Sequence, residues 1–135
     1  MTPLLILTHG EFGPLLLKAA EGMYGPQDAA AALALSPDET PESFAARVQA
    51  ALAAWTERPL VLVDMACGTP WNVAVRNGCA DGEVLAGLSL PLLLEAIGLR
   101  DGLEARPLAA ELCARAPQGL ARASELMKGG EGGCA

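Results

Sequence analysis

Two unbroken aliphatic runs, Leu4-Leu5-Ile6-Leu7 and Leu60-Val61-Leu62-Val63, constrain the fold more than anything else in this chain. A strand with large apolar groups at every position offers them to both faces, so each run must lie in a sheet covered on both sides, as parallel strands are in α/β folds. Both runs stop at a polar residue. The first gives way to Thr8 and the chain's one histidine, His9, and the second ends in Asp64. A proline-started segment follows each. Pro14 suits the first turn of a helix through Leu15, Leu16, Leu17, Ala19, Ala20 and Met23, and Pro70 opens a helix of Trp71, Val73, Ala74 and Val75 that Thr69 is expected to N-cap.

The remaining segments continue the alternation. Gly22, Gly25 and Pro26 mark the end of the first helix, and Ala30 to Leu35 reads as a second strand. Thr40 before Pro41 starts a helix whose core-facing stripe is Phe44, Val48, Ala51, Leu52 and Trp55. After the turn signals Asn77-Gly78 and Asp81-Gly82, Val84 to Leu88 is a fourth strand, and Pro91 starts a short helix through Ile97. Leu108 to Met127 is a last helical region divided or kinked at Pro117. The order βαβαβαβα predicts an α/β fold: a doubly wound, mainly parallel sheet of about four to five strands with helices on both faces and right-handed crossovers. Residues 1–128 are expected to form the single domain and residues 129–135, rich in glycine, a flexible tail. Periodicity leaves the strand order open.

Composition narrows the partners. With 16 acidic against 9 basic side chains, the net charge is −7, which argues against nucleic acid and anionic membrane and for partners with basic surfaces. No apolar run approaches the roughly 20 residues of a membrane span, and no basic region precedes the short N-terminal aliphatic stretch, so a cytoplasmic protein is expected. The four cysteines, Cys67, Cys79, Cys113 and Cys134, form neither a CxxC pair nor a Cys/His cluster, and read as reduced thiols. Cys67 reads as a small packing residue, the alternative being a reactive loop thiol. One histidine in the chain argues against a zinc site, and neither metal nor cofactor is expected.

The chemistry concentrates on His9 and Asp64. Both end strands at the sheet's carboxyl edge, where loops and helix N-termini converge on ligands. A carboxylate accepting from one imidazole nitrogen fixes the tautomer and leaves the other nitrogen bare, so the pair makes histidine a nucleophile or a base. The Thr69 hydroxyl and backbone N–H groups near Gly10, Gly68 and Thr69 then have the character of a cradle for an oxyanion such as a phosphoryl group. The competing reading has His9 as a solvated loop residue and Asp64 as a strand-end cap, out of contact. Other signatures are missing: there is no GxxxxGK[ST] loop, no GxGxxG after the first strand and no GxSxG elbow, and Ser36, Ser43, Ser89 and Ser124 sit in plain contexts. Glu11, Glu39, Asp81 and Asp101 read as surface groups.

Three segments carry a family resemblance: Leu7-Thr8-His9-Gly10, then Val63-Asp64 through Gly68-Thr69-Pro70-Trp71-Asn72, and Ala86-Gly87-Leu88-Ser89-Leu90-Pro91-Leu92-Leu93. In residues and spacing the chain resembles the enzyme IIA domain of the mannose family of the bacterial phosphoenolpyruvate-dependent sugar phosphotransferase system. The resemblance implies a phosphocarrier in which His9 accepts a phosphoryl group from phospho-HPr and passes it to an enzyme IIB partner. It implies further that Asp64 orients the imidazole, that Thr69 helps bind the phosphoryl group, and that the protein is a homodimer meeting the membrane only through transporter subunits. One departure stands out: the family's loop after the aspartate usually carries Gly-Gly before its hydroxyl residue, and here it reads Cys67-Gly68. Two alternatives remain beside the carrier: a regulatory, phosphorylatable binding module without a transport role, and a small hydrolase-like or isomerase-like enzyme using His9 and Asp64 as a base pair.

Overall fold

The computed structural model describes residues 1–77 and 82–128. Strand β1 (Leu4–His9) is followed by helix α1 (Phe12–Tyr24), β2 (Ala30–Leu35), α2 (Pro41–Leu52), β3 (Leu60–Val63), α3 (Thr69–Arg76), β4 (Glu83–Ala86), α4 (Leu90–Leu99) and α5 (Ala105–Arg115). A 3-10 turn at Ala116–Gly119 and a one-turn helix α6 (Ala123–Leu126) complete the described chain. Every strand pair is parallel and the order across the sheet is β2-β1-β3-β4. This is the doubly wound α/β fold that the alternation of runs predicts, with four strands. The chain leaves β1 on one side to make β2 and returns across it to make β3 on the other, which puts a topological switch point between β1 and β3.

The two aliphatic runs behave as strands covered on both faces must. Leu4, Ile6, Leu60 and Leu62 pack with Ala20, Leu93, Ala96, Leu108 and Leu112 from α1, α4 and α5. Leu5, Leu7, Val61 and Val63 turn to the opposite face, against Phe44 and Val48 of α2 and Val73 and Ala74 of α3. All eight strand residues are fully buried. Burial of this kind stabilises by roughly 1.5–3 kcal/mol for each large side chain, which outweighs the modest strand propensity of the alanine-rich β2 beside them.

Several boundaries differ from the sequence reading, each for a local reason. Helix α1 begins at Phe12, two residues before Pro14, because the Thr8 hydroxyl reaches forward to accept from the Gly13 N–H at 2.7 Å and caps the first turn from within β1. Thr69 does not N-cap α3: the cap residue is Gly68, in extended conformation, and Thr69 is the first helical residue. Helix α2 ends at Leu52, so Trp55 joins the core stripe from beyond the helix, packed against the same cluster. The fourth strand runs Glu83–Ala86, because Gly87 turns the chain at φ +94° and ends the ladder before Leu88. Pro117 sits in the 3-10 turn that breaks the last helical region. Thr40 caps α2 as expected, accepting from the Ser43 N–H at 3.1 Å, and Ser89, passed over above, caps α4 in the same way from the Leu92 N–H at 3.2 Å. The Asn77-Gly78 and Asp81-Gly82 turn lies partly, and the segment 129–135 wholly, outside the described residues.

The sheet's amino-terminal edge is closed by a charge. Arg100, at the end of α4 and 2% exposed, donates to the carbonyls of Ala29 at 2.9 Å and Asp28 at 2.6 Å and to Gln27 Oε1 at 3.0 Å. Its own backbone carbonyl accepts from the Thr2 N–H at 3.1 Å. One guanidinium thus ties α4 to the entries of β1 and β2 through charge-assisted hydrogen bonds to their backbone carbonyls, adding a second donor to the Ala29 carbonyl, which also accepts from the Leu4 N–H at 2.9 Å.

Candidate functional site

The parallel pairing of β1 with β3, in the register Leu7 to Val63, carries His9 and Asp64 to the same carboxyl edge. There the two side chains meet: His9 Nδ1 lies 2.7 Å from Asp64 Oδ2, and the same oxygen accepts from the His9 backbone N–H at 2.9 Å. The other carboxylate oxygen accepts from the Met65 N–H at 2.9 Å. Partial burial pushes the Asp64 carboxyl up, but the His9 N–H, the imidazole and the Met65 N–H outweigh it and hold the group below the ordinary carboxylate range. An ionised carboxylate has no proton to give, so Nδ1 must be the donor. Nε2 is left as the basic nitrogen on a side chain that is 48% exposed, beside a carboxylate only 17% exposed.

Gly68 stands against that nitrogen. A Cβ at this position would lie 2.9 Å from His9 Cε1, closer than real Cβ contacts come, and a tight 3.3 Å from Nε2, so the loop between β3 and α3 passes the imidazole edge where a glycine leaves the ring in place and a larger residue would displace it. The bare nitrogen therefore faces the start of α3. Pro70 has no N–H, and among the described residues the amides of Gly68, Thr69 and Trp71 and the Thr69 hydroxyl have no hydrogen-bond partner; the first closed turn is Asn72 N–H to the Gly68 carbonyl at 2.9 Å. Orphan donors and the positive end of a helix dipole make this an anion-binding concavity.

Gly10 sits differently. Its N–H is donated to the Leu35 carbonyl at 2.8 Å, extending the ladder between β1 and β2, so what it supplies is the turn at φ +59° rather than an amide facing the site. Cys67, read as a packing residue, is exposed instead and holds φ +69°, a left-handed conformation that costs a Cβ-bearing residue about 1 kcal/mol or more. Glu39, read as a plain surface acid, is bound by Arg47 at 2.8 Å and by the Ser36 N–H, within the loop that leads into α2. Among the described residues no group of three or more His, Cys, Asp and Glu side chains is arranged to hold a metal ion.

A doubly wound parallel sheet whose switch point presents one carboxylate-bound imidazole to a helix N-terminus defines a class: small α/β domains organised around a single histidine and an anion. Comparison with known proteins places the chain within that class. Residues 3–113 match the EIIA-man family, described as the PTS system fructose IIA component. The sorbose-specific EIIA component of Klebsiella pneumoniae is 31% identical over 121 residues, 87% of this chain and 89% of that protein. The fructose-specific EIIA component of Bacillus subtilis (strain 168) is 32% identical over 130 residues, 93% of this chain and 88% of that one. Among solved structures, the phosphotransferase system component EIIA from Streptococcus agalactiae superposes with a TM-score of 0.83 at 25% identity, over 93% of this chain and 99% of its own. The chain belongs to the EIIA-man family and is a mannose-type component of the sugar phosphotransferase system.

Proposed function

We propose that the chain is a phosphocarrier that takes a phosphoryl group from the phosphohistidine of HPr onto Nε2 of His9 and yields it to an enzyme IIB partner in sugar uptake. The observation that carries this reading is the double hold of Asp64 on His9, through Nδ1 and through the backbone N–H, which leaves Nε2 bare and fixed in direction. In the transfer the donor's P–N bond breaks as the bond to Nε2 forms. The donor imidazole leaves neutral, and the His9 ring, keeping its Nδ1 proton, becomes cationic. The Asp64 carboxylate at 2.7 Å stabilises that cation, and the transferred oxygens face the Gly68, Thr69 and Trp71 amides and the Thr69 hydroxyl. Alignment and charge stabilisation are what a loose phosphoryl transition state requires, so a preformed pair and a helix end suffice. Return of the group to IIB is the same step reversed.

The carrier works in the cytoplasm, where HPr and phosphoenolpyruvate are found, and reaches the membrane through its transporter subunits. No described helix is long and apolar enough to cross a membrane. Its net charge of −7 suits a partner with a basic surface. A homodimer is supported by the open edge of β4, where Leu85, Leu92, Leu112 and Leu120 line a largely apolar groove of about 600 Å³. Incubation with phosphoenolpyruvate, enzyme I and HPr is expected to give an acid-labile phosphoprotein, with labelling lost in His9→Ala. An unlabelled wild-type protein, or undiminished labelling of His9→Ala, overturns the reading.

A further inference from the structure

We infer that Thr8 is a positioning residue for His9, acting through the backbone that carries the imidazole; the inference rests on the reading of His9 as the phosphoryl acceptor. Thr8 is fully buried, yet its hydroxyl is satisfied on both sides. It donates to the Gly10 carbonyl at 3.1 Å and accepts from the Gly13 N–H at 2.7 Å. The turn that leaves the sheet at His9 is thus closed on itself by one oxygen. The remaining holds fall on either side of it: the His9 N–H goes to Asp64, and the Gly10 N–H goes to Leu35. Residues 9 and 10 are thereby fixed from β3, from β2 and from α1, and Thr8 supplies the α1 tie.

The fit at this point is tight. A Cβ at Gly13 would lie 2.8 Å from Thr8 Oγ1 and 2.9 Å from Ile6 Cγ2, so α1 is drawn onto the end of β1 until its first turn touches the hydroxyl. A valine at position 8 would keep the shape and leave the Gly13 N–H buried without an acceptor and the Gly10 carbonyl without its donor, a situation relieved by re-aiming the turn. Displacement of about 1 Å at a reacting group costs on the order of 100-fold in rate, whereas docking of a protein partner over a wide surface is insensitive to it.

The test compares Thr8→Val, Thr8→Ser and Gly13→Ala with the wild type. Phosphoryl transfer from phospho-HPr is followed, together with the ¹⁵N signals of the His9 ring in the unphosphorylated protein. Thr8→Val is expected to lower the rate at saturating donor by about 10- to 100-fold with the half-saturating concentration unchanged within about twofold. Its ring signals should move away from the single Nδ1–H tautomer, while Thr8→Ser, which keeps the hydroxyl, behaves as wild type in both measurements. A Thr8→Val protein with wild-type rate and ring signals overturns the inference. Should that variant not fold, Gly13→Ala, which crowds the hydroxyl without removing it, must shift the ring signals, and unchanged signals overturn the inference equally. The two readings fail separately: an unphosphorylated wild type whose ring signals still respond to Thr8→Val removes the carrier and leaves the positioning role. Normal labelling with no response to any of the variants does the reverse.

Discussion

Asp64 holds His9 by two bonds from one oxygen, and the consequences are specific to a carboxylate. An asparagine at position 64 that turned its NH₂ toward Nδ1 would force the proton to Nε2 and protonate the nucleophile. Asp64→Asn is therefore expected to slow phosphoryl transfer by roughly 100-fold or more, read by rapid quench, with the fold retained by circular dichroism; full activity would remove Asp64 from the mechanism. The same bonds carry a pH signature. Because the folded carboxyl lies below its ordinary value of 3.8, its contribution to stability is complete above that value and disappears as pH falls through the lower folded value. Denaturation followed from pH 5 downward should show wild type losing stability more steeply than Asp64→Asn below about pH 4, and parallel curves would show that the carboxylate is not held in this way. Gly68→Ala places a methyl 2.9 Å from the ring; labelling of His9 is expected to fall by more than about tenfold, with a much smaller effect on melting. His9 and Asp64 were legible because each polar side chain ends a run of otherwise apolar residues. Thr8 was not, since a threonine at a strand end reveals neither of the backbone groups its hydroxyl will meet. Gly10 was misjudged for a related reason: whether its amide faced the site or β2 depended on a strand pairing the sequence leaves open.

Among the elements, α2 shows how one face of the sheet is held. Phe44 is fully buried against Leu5, Leu7, Val61 and Val63, and Arg47 lies over its ring at 5.7 Å while binding Glu39 and the Ala34 carbonyl. Phe44→Ala is expected to cost about 3–5 kcal/mol in chemical denaturation, an amount that threatens folding in a domain of this size; a loss under about 1 kcal/mol would show that the face repacks. The start of α2 was readable from sequence, where a hydroxyl residue directly precedes proline at Thr40-Pro41. That of α3 was misread at Thr69-Pro70, where the hydroxyl lies one position inside the helix and the preceding extended glycine takes the cap, which leaves the Thr69 hydroxyl free for the site. Helix α1 is capped by Thr8 at the end of the preceding strand, five residues before Gly13, a longer reach than the N-cap spacing by which such starts are read from sequence. Strand ends were legible to the residue in β2 and overrun in β4, where the turn at Gly87 interrupts an apolar pattern that continues into Leu88.

The molecule as a whole separates its chemistry from its fastening. The site lies at the carboxyl edge of the sheet, while Arg100 ties the amino-terminal edge, where burial draws its guanidinium below the ordinary value against the pull of Asp101 and Asp28. Arg100→Met removes donors from the Thr2, Asp28 and Ala29 carbonyls and from Gln27 Oε1 at once and is expected to destabilise by about 3 kcal/mol or more. At a temperature where the variant remains folded, phosphoryl transfer should be unchanged; a rate loss there would mean that the two edges are coupled. Composition gave no hint of this residue, because its hydrogen bonds go to backbone carbonyls and a glutamine amide oxygen, acceptors that no pattern of residue types marks in sequence. Strand order was equally hidden, and yet it decides everything at the site: with β1 and β3 apart, His9 and Asp64 would never meet.

The most direct measurement of the central claim is the position of the P–N bond on His9. Under alkaline conditions that preserve phosphohistidine, ¹⁵N–³¹P correlation spectra of the labelled, phosphorylated protein should show phosphorus attached to Nε2, with Nδ1 still protonated toward Asp64. Phosphorus on Nδ1, or on any residue other than His9, would contradict it.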